Sequence, residues 1–344
     1  MERRVAIVIV LAAAIFATFA VPGAVMAQQE KVIELTYGSA MGPDHTFSRA
    51  DIAWFAKIEK ETNGRVKFKP FWGGTLIGMT GDSIDEVVKG VVDIGLISAG
   101  MARAGYDIAK GSYILFSGAN IKDGYRIFTE IRKKYPEIEK EYKGLKVLSW
   151  NSGIEYQLIS RKPVRRLADM KGMRIKTNGE TIGVLKELGV EGVIMSMSDV
   201  YMSMQKGVLD GAFVPASTLR SMRFTEVAKY MTYFNHYRAH TGSRVMSLTT
   251  WNKLPPDIQK VFENDIEWFS IEGDRYFIEE DDVGKDLGKK SGMEFINLPK
   301  EDLAKFYDLV LKEGATEATK LDGKGLPGTK ILNDTQRLIK ASQK

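Results

Sequence analysis

The first half of the chain alternates between strand-like and helix-like patterns of apolar residues. In residues 31–38 every second position is apolar, which is typical of a half-buried strand. Apolar residues at near-helical spacing follow at 47–58, and a Thr-Asn-Gly stop stands at 62–64. The segment 91–97 is a nearly unbroken apolar run, as expected of a strand covered on both faces of a parallel sheet.

The same alternation returns in the second half of the chain. The pattern predicts strands separated by short helices, with strands at 144–150, 172–177, 190–195 and 207–214 and helices at 182–188 and 198–207. Strands separated by helices of this length indicate parallel βαβ units. Two such blocks predict two α/β lobes.

A long helical pattern begins at Pro255 and Pro256, where proline near the first helical position favours a helix start. No helix breaker follows until about Gly284. A helix of about 30 residues would extend roughly 45 Å, which is enough to brace both lobes.

The amino-terminal residues have the pattern of a cleavable secretory signal. A charged Met-Glu-Arg-Arg start precedes an apolar run at 5–20, and small residues lead up to Ala27. The alternative is a membrane anchor, but the run of about 16 residues is shorter than the roughly 20 that a spanning helix needs. We therefore predict a signal peptide at 1–27 and a soluble, periplasmic mature chain.

Composition narrows the function classes. The chain has no cysteine, so disulfides do not contribute to its stability. The length after the signal suits about two domains. The formal net charge of +5 is mild, and its cations are interleaved with acids. Because nucleic-acid binding calls for a basic stripe, no nucleic-acid partner is predicted.

Lys176 lies at the carboxyl end of a predicted strand. Open α/β sheets bind ligands in the crevice beyond those ends. Thr177 and Glu180 have the spacing of a capping box, which would open a helix whose positive end points at the same place as the Lys176 ammonium. The pattern thus indicates an anion site, while the alternative is a solvated surface lysine. Arg174, deeper in the strand, is assigned a structural role.

Enzyme motifs are missing from the sequence. There is no Gly-x-Ser-x-Gly elbow, no His-Glu-x-x-His motif and no Walker loop. His236 and His240 have the i, i+4 spacing of a helical metal pair, but the surrounding residues read as turn and strand. The acidic run at 279–282 reads as a solvated helix face. We therefore predict no catalytic residue, no metal and no cofactor.

Aromatic residues stand at or just beyond several predicted strand ends, namely Trp72, Trp150, Tyr156 and Phe213. Together they could wall a pocket, although each one singly is more often a core residue.

Several long segments resemble one transport family. These are SRKPVRRLADMKGMRIKTNGETIGVLKELGVEGVIMSMSDVYMSMQKGVLDG at 160–211, DIAWFAKIEKETNGRVKFKPFWGGTL at 51–76, GVVDIGLIS at 90–98 and KLPPDIQKVF at 253–262. They are similar to the extracytoplasmic solute receptors of tripartite ATP-independent periplasmic (TRAP) transporters, the DctP-type family. The likeness covers nearly all of the mature chain.

The resemblance implies a two-lobed periplasmic binding protein, type II-like, with a long helix bracing both lobes and no catalysis. We place lobe I at 28–153 and 239–262, and lobe II at 154–238 and 263–344. The resemblance also implies a monomer that delivers a small organic anion to a membrane permease with a small and a large subunit.

The chain departs from the family at its ligand positions. Where the family carries an arginine at the end of a strand, this sequence has Lys176, a point charge without the fork geometry of a guanidinium. A second family arginine falls at Tyr156 or, with a shift of one residue, at Glu155. An asparagine region is replaced by Ala212-Phe213-Val214-Pro215. A plain dicarboxylate is therefore less expected than family membership alone implies.

Two readings of the pocket remain open. In the first, Lys176 holds a carboxylate while Tyr156, Phe213, Val214 and Trp150 surround an apolar or aromatic tail. In the second, Glu155 faces the cleft and pairs with Lys176 or with an amine on the ligand, because a buried carboxylate without a partner is costly. The first is favoured, and the candidate set also includes Trp72 and His45. The competing functions are a receptor for an amine-bearing or uncharged solute, an exported enzyme on the same lobes, and a sensory module.

Overall fold

The computed structural model describes residues 31–78, 80–150, 153–239 and 242–342. The described residues from Val32 onward form one compact unit. The predicted signal peptide at 1–27 lies outside the described residues, as does His240. No helix in the described ranges combines the length and the apolar composition that a membrane crossing requires.

Strands and helices alternate along most of the chain. The strands are β1 (Ile33–Gly38), β2 (Val66–Phe71), β3 (Ile94–Ile97), β4 (Leu145–Trp150), β5 (Gly153–Ser160), β6 (Arg174–Lys176), β7 (Glu191–Val193), β8 (Gly211–Val214), β9 (Tyr230–Ala239), β10 (Ser243–Ser247) and β11 (Glu294–Asn297). The helices are α1 (Thr46–Glu61), α2 (Ser83–Val88), α3 (Asp107–Leu115), α4 (Ile121–Lys134), α5 (Glu137–Lys140), α6 (Ile182–Glu187), α7 (Met197–Gln205), α8 (Thr218–Ser221), α9 (Leu248–Trp251), α10 (Pro256–Lys290), α11 (Lys300–Gly323) and α12 (Gly328–Ser342). The predicted α/β class is confirmed.

The first sheet has the strand order β2-β1-β3-β10-β4. Its strand β1 is parallel to β2 and β3, and β10 is antiparallel to β3 and β4. All four residues of β3 are buried, as the apolar run predicts. The expectation of purely parallel units is wrong at β10, because this strand returns from the second sheet and enters between β3 and β4.

The second sheet has the order β11-β9-β5-β8-β6-β7. Within it β6 is parallel to β7 and β8, and β5 is antiparallel to β8 and β9. Between the described strands the chain passes from one sheet to the other three times: after β4, after β9 and, through α9 and α10, after β10. These crossings bring residues of both sheets close to one another.

Helix α10 contacts elements of both sheets. It packs on α1 and β4 beside the first sheet and on α8 beside the second. Its 35 residues correspond to about 52 Å, so the predicted long helix is confirmed. The expected break at Gly284 is wrong, since the helix continues to Lys290. The glycine makes room for the backbone of Ala216, because a Cβ there would lie 2.1 Å from the Ala216 carbonyl oxygen.

Helix α11 also packs on both halves, against α3 and α6. The last helix, α12, packs on α4 and α3. Its buried Ile331 and Ile339 belong to the same apolar core as Ile127 and Phe128 of α4. The structure therefore places α12 beside the first sheet, whereas the predicted lobe boundaries put this segment in lobe II. An amphipathic helix has one apolar face, and its periodicity does not show which core that face covers.

A buried ion pair fixes β10 to α1. The Arg244 and Asp51 side chains are both 0% exposed, and Arg244 Nε donates to Asp51 Oδ1 at 2.7 Å. The Tyr37 hydroxyl donates to the other carboxylate oxygen, Oδ2. The Arg244 guanidinium also lies over the rings of Phe47 and Phe269. Such a fully paired charge tolerates burial, and removing one partner leaves the other uncompensated.

Candidate functional site

A cavity of about 420 Å³ lies between the carboxyl-terminal ends of strands from the two sheets. From the first-sheet side, the segment after β3 and helix α3 contribute to its wall. From the second-sheet side come the segments after β6 and β7 and the end of β9, and α11 closes the outer edge. The lining residues are Gly100, Met101, Lys110, Tyr113, Ile114, Asn178, Gly179, Glu180, Ile194, Arg238, Glu313, Glu317 and Lys320.

Lys176 is the last residue of β6 and is only 4% exposed. The fully buried Ile175 and the pairing of Lys176 with Ala212 of β8 fix its position. The Lys176 Nζ donates to Oδ1 of Asn178, a residue of the cavity wall, at 3.3 Å. Burial, followed by repulsion from Arg238, lowers the pKa of Lys176 to about 8, against the opposing effect of Glu180. The ammonium is therefore still charged at neutral pH.

Arg238 is a second cation of the site, and sequence reasoning missed it. It lies near the end of β9, opposite Ile154 of β5, and its Nε donates to Glu180 Oε1. Its guanidinium carbon lies 3.6 Å from the ring centroid of Tyr113 on α3. Although burial opposes the charge, Glu180 and the two tyrosines Tyr113 and Tyr156 raise the pKa of Arg238 above its ordinary value. The arginine is thus held as a cation between the two halves.

Tyr113 is positioned by contacts on the first-sheet side. Its hydroxyl is 2.6 Å from Ser98 Oγ, just after β3. Gly100 makes room for the ring, since a Cβ there would lie 2.3 Å from the Tyr113 hydroxyl oxygen. The tyrosine ring is therefore a fixed wall of the cavity facing Arg238.

Tyr156 and His236 pair across β5 and β9, below the cavity wall. The Tyr156 side chain is hydrogen-bonded to Asn178, and burial raises its pKa. His236 is 2% exposed and packs edge-on against Phe306. Burial lowers the pKa of His236 to about 4, so the ring is neutral at neutral pH.

None of the eight predicted site residues is among the lining residues of this cavity. Lys176 and Tyr156 lie behind Asn178, to which both are hydrogen-bonded, and four others lie away from the cavity. Glu155 accepts a hydrogen bond from the backbone N–H of Ile121, at 3.1 Å, so it faces the start of α4 and not Lys176. The other three are 5% exposed or less and belong to apolar cores, namely Phe213, Val214 and Trp150. Strand β8 lies inside its sheet and both of its faces are covered, which is why Phe213 and Val214 are core residues.

His45 and Trp72 also lie away from the cavity. His45 caps α1, its Nδ1 accepting from the backbone N–H of Phe47 at 3.2 Å, and burial lowers its pKa to about 4. It lines a separate cavity of about 600 Å³ with Arg49 and Arg220. Trp72 packs its ring against Tyr37 and Phe55.

The predicted capping box after Lys176 is wrong. Glu180 is bound by Arg238, and Thr177 Oγ1 contacts Thr181 Oγ1 instead of a helix N–H. Residues Gly179–Thr181 form a single 3-10 turn, and α6 has only six residues. Positive charge at this end of the cavity therefore comes from side chains and not from a helix terminus. Arg174 is exposed and pairs with Glu191, which agrees with a structural role.

The described residues contain no group of three or more side chains suited to holding a metal ion. The charged side chains of the cavity wall are two lysines, one arginine and three glutamates, and the neutral His236 lies behind the wall. The arrangement suits the binding of a negatively charged group.

One sequence signal for Arg238 was available. In residues 230–239 a cation stands in an otherwise largely apolar and aromatic strand, immediately before the chain crosses between the sheets. A charged residue in a covered strand near a crossing is a candidate for a ligand site, because an unpaired charge is not tolerated in a core.

Comparisons with known proteins give a consistent result. The model for a family described as bacterial extracellular solute-binding protein, family 7 (DctP), matches residues 37–315. Protein YiiZ of Salmonella typhimurium is 31% identical over 214 residues, which is 60% of this chain and 64% of that protein. The chain thus spans a little under two thirds of the length of the first curated relatives it matches.

Solved structures share the fold over nearly their whole length. A TRAP periplasmic solute-binding protein from Desulfovibrio salexigens has a TM-score of 0.77 at 25% identity, covering 89% of this chain and 95% of that one. A marine metagenome TRAP solute-binding protein, specific for aromatic acid ligands, has a TM-score of 0.80 at 20% identity, covering 91% of this chain and 100% of that one. The second likeness concerns the fold alone.

Proposed function

Because the chain belongs to family 7 of the bacterial extracellular solute-binding proteins, we propose that it is the receptor of a TRAP transporter and binds a small organic acid between its lobes. The observation that carries the proposal is Lys176. Its ammonium is buried beside the cavity, and its hydrogen bond goes to an amide oxygen and not to a carboxylate. A buried cation of this kind calls for an anionic partner, which the solute supplies.

The ligand pose follows from the neighbouring side chains. The carboxylate lies near the Lys176 ammonium and the Asn178 amide, with the Tyr156 hydroxyl behind them. The remainder of the acid lies against the Tyr113 ring, Ile114 and Ile194. Ile194 is 67% exposed, so covering it with an apolar or aromatic tail adds favourable burial. The structurally similar marine metagenome protein, specific for aromatic acids, supports a tail of this kind.

The two lobes of the proposal are built on the two sheets. Lobe I contains 28–153 and 239–262, and lobe II contains 154–238 together with most of 263–344. We assign α12 to lobe I, because it packs on α4. Arg238 and Tyr113 meet across the cavity from the two lobes, so the solute is enclosed when the lobes close.

Export and delivery complete the proposal. The signal at 1–27 directs the receptor to the periplasm, where it acts as a monomer and hands the acid to the membrane subunits of the transporter. An amine-bearing solute finds less support, since Glu155 is bonded to the backbone of Ile121. An exported enzyme finds less support as well, because the family model that matches residues 37–315 describes solute-binding proteins.

The function is tested by identifying the solute. The purified protein is extracted and its small molecules are analysed by mass spectrometry, and the emptied protein is then screened by thermal shift against keto acids, aromatic acids, amines and sugars. We expect stabilisation by acids alone, of about 2.7 kcal/mol at 100 times the dissociation constant. Stabilisation by amines or sugars with none by acids would contradict the proposal, as would turnover of the bound compound.

A further inference from the structure

The charges around the cavity are mostly matched inside the protein. The Arg238 and Glu180 side chains are only 13% and 12% exposed, and they form an ion pair. At the outer edge Lys320 pairs with Glu317 at 3.0 Å, and one further lysine and one further glutamate, Lys110 and Glu313, complete the charged lining. The lining by itself therefore carries as many negative as positive groups.

Lys176 is the exception. Within the described residues no carboxylate oxygen comes within ion-pair distance of its Nζ, and its hydrogen bond goes to the amide of Asn178. Two other buried titratable groups lie nearby: burial lowers the pKa of His236 to about 4, so its ring is neutral at neutral pH, and burial raises the pKa of Tyr156. Together with the matched lining, Lys176 leaves a surplus of one positive charge around the cavity.

We propose that the cavity selects acids with a single negative charge, and that Glu180 sets this selectivity by occupying Arg238. The inference rests on the proposed function and goes beyond it to the class of solute. A monocarboxylate balances the surplus charge. A second carboxylate would enter a closed cavity in which Arg238 already has a partner, and burying an unpaired carboxylate costs several kcal/mol. A neutral solute would leave Lys176 unpaired.

Glu180 is thus a specificity-determining residue. Replacing its carboxylate by an amide of the same shape, Glu180→Gln, leaves Arg238 with an unmatched charge 3.6 Å above the Tyr113 ring centroid. That charge can then pair with a second carboxylate of the solute, and a guanidinium suits such a group through two parallel hydrogen bonds.

The test compares acids that share a carbon skeleton and differ by one carboxylate in place of a methyl group, namely butyrate with succinate and 2-methylbenzoate with phthalate. Affinities are measured by titration calorimetry at pH 7 for the wild type, Glu180→Gln and the control Glu187→Gln. Glu187 is an exposed glutamate on α6, away from the cavity. We expect the wild type and the control to prefer the monocarboxylate by about tenfold or more, and Glu180→Gln to lose or reverse this preference.

A double variant separates a charge effect from a structural one. Glu180→Gln combined with Arg238→Gln removes both charges, so the surplus returns to one and the preference for monocarboxylates returns with it. If Glu180 only maintained the shape of the cavity, the double variant would not recover this preference.

The outcomes distinguish the inference from the function beneath it. Dicarboxylates that bind the wild type as tightly as their monocarboxylate partners overturn the selectivity, while the receptor function stands. An unchanged preference in Glu180→Gln overturns the role of Glu180. If no acid in either class binds the wild type, the proposed function fails and the selectivity fails with it.

Discussion

Replacing Lys176 by methionine removes the charge of the proposed anchor and keeps a side chain of similar length. The lysine is 4% exposed and has a single hydrogen bond to Asn178, so little solvent can substitute for its charge when a carboxylate binds. Removing one partner of a buried ion pair costs about 3–5 kcal/mol. We therefore expect the dissociation constant of a monocarboxylate to rise by about two to four orders of magnitude.

Within that range we expect the smaller increase in the dissociation constant, about two orders of magnitude. Burial and Arg238 already lower the pKa of Lys176 to about 8, so part of the attraction to the solute offsets the unfavourable environment of the ammonium. The same reasoning predicts that Lys176→Met does not destabilise the empty protein, because an apolar side chain replaces a desolvated charge. Loss of binding with an unchanged or higher melting temperature would therefore identify a lost anchor and not a damaged fold.

The assay is titration calorimetry at pH 7 with the acid that gives the largest thermal shift. Lys171→Met is the matched control, since Lys171 is exposed and precedes the same strand. We expect wild-type affinity in the control. A change of less than about threefold in Lys176→Met, in a variant that still folds, would refute the assignment of the anchor.

Three further predictions concern pH, stability and closure. Between about pH 8 and the ordinary lysine pKa, Lys176 is deprotonated in the folded protein and protonated in the unfolded chain, so its contribution to stability rises with pH. Over the same interval the affinity for a carboxylate should fall about tenfold per pH unit, because the ammonium loses its charge. An affinity that stays constant from pH 7 to 9.5 would contradict this prediction. Asp51→Ala removes the carboxylate that pairs with the fully buried Arg244 and should cost about 3–5 kcal/mol, seen as a lower urea midpoint. A loss below about 1 kcal/mol would show that the pair contributes little. Glu280 of α10 pairs with Arg49 of α1 and with Arg220 of α8, and so connects the two lobes. Glu280→Gln should therefore favour the open arrangement of the lobes and weaken binding several-fold in the same titration. An unchanged affinity would show that these ion pairs do not stabilise the closed lobes.

The sequence pattern located Lys176 because local information suffices for a strand end. Alternation identifies the strand, and the carboxyl end of a strand in an α/β sheet borders the ligand crevice. The long helix was found for a similar reason, since its apolar stripe repeats along its own length. Gly284 looks like a helix stop in the sequence, but it makes room for the backbone of Ala216, a contact that no local pattern reveals.

The remainder of the site depends on contacts between distant residues. Glu180 has the spacing of a capping residue, yet it pairs with Arg238, which lies 58 residues after it in the chain. Phe213 sits at a strand end but in an inner strand, so its ring is in the core. Tyr113 becomes a wall only because Gly100 leaves room for it. Pairings of this kind follow from the arrangement of the two sheets.

The most direct test of the account is a crystal structure of the protein with its tightest-binding monocarboxylate. We predict a carboxylate oxygen within about 3.2 Å of Lys176 Nζ, with the rest of the acid beside Tyr113 and the Arg238–Glu180 pair intact. An acid bound in another cavity, or a complex in which Lys176 is paired with a protein carboxylate and the solute lies elsewhere, would contradict the account.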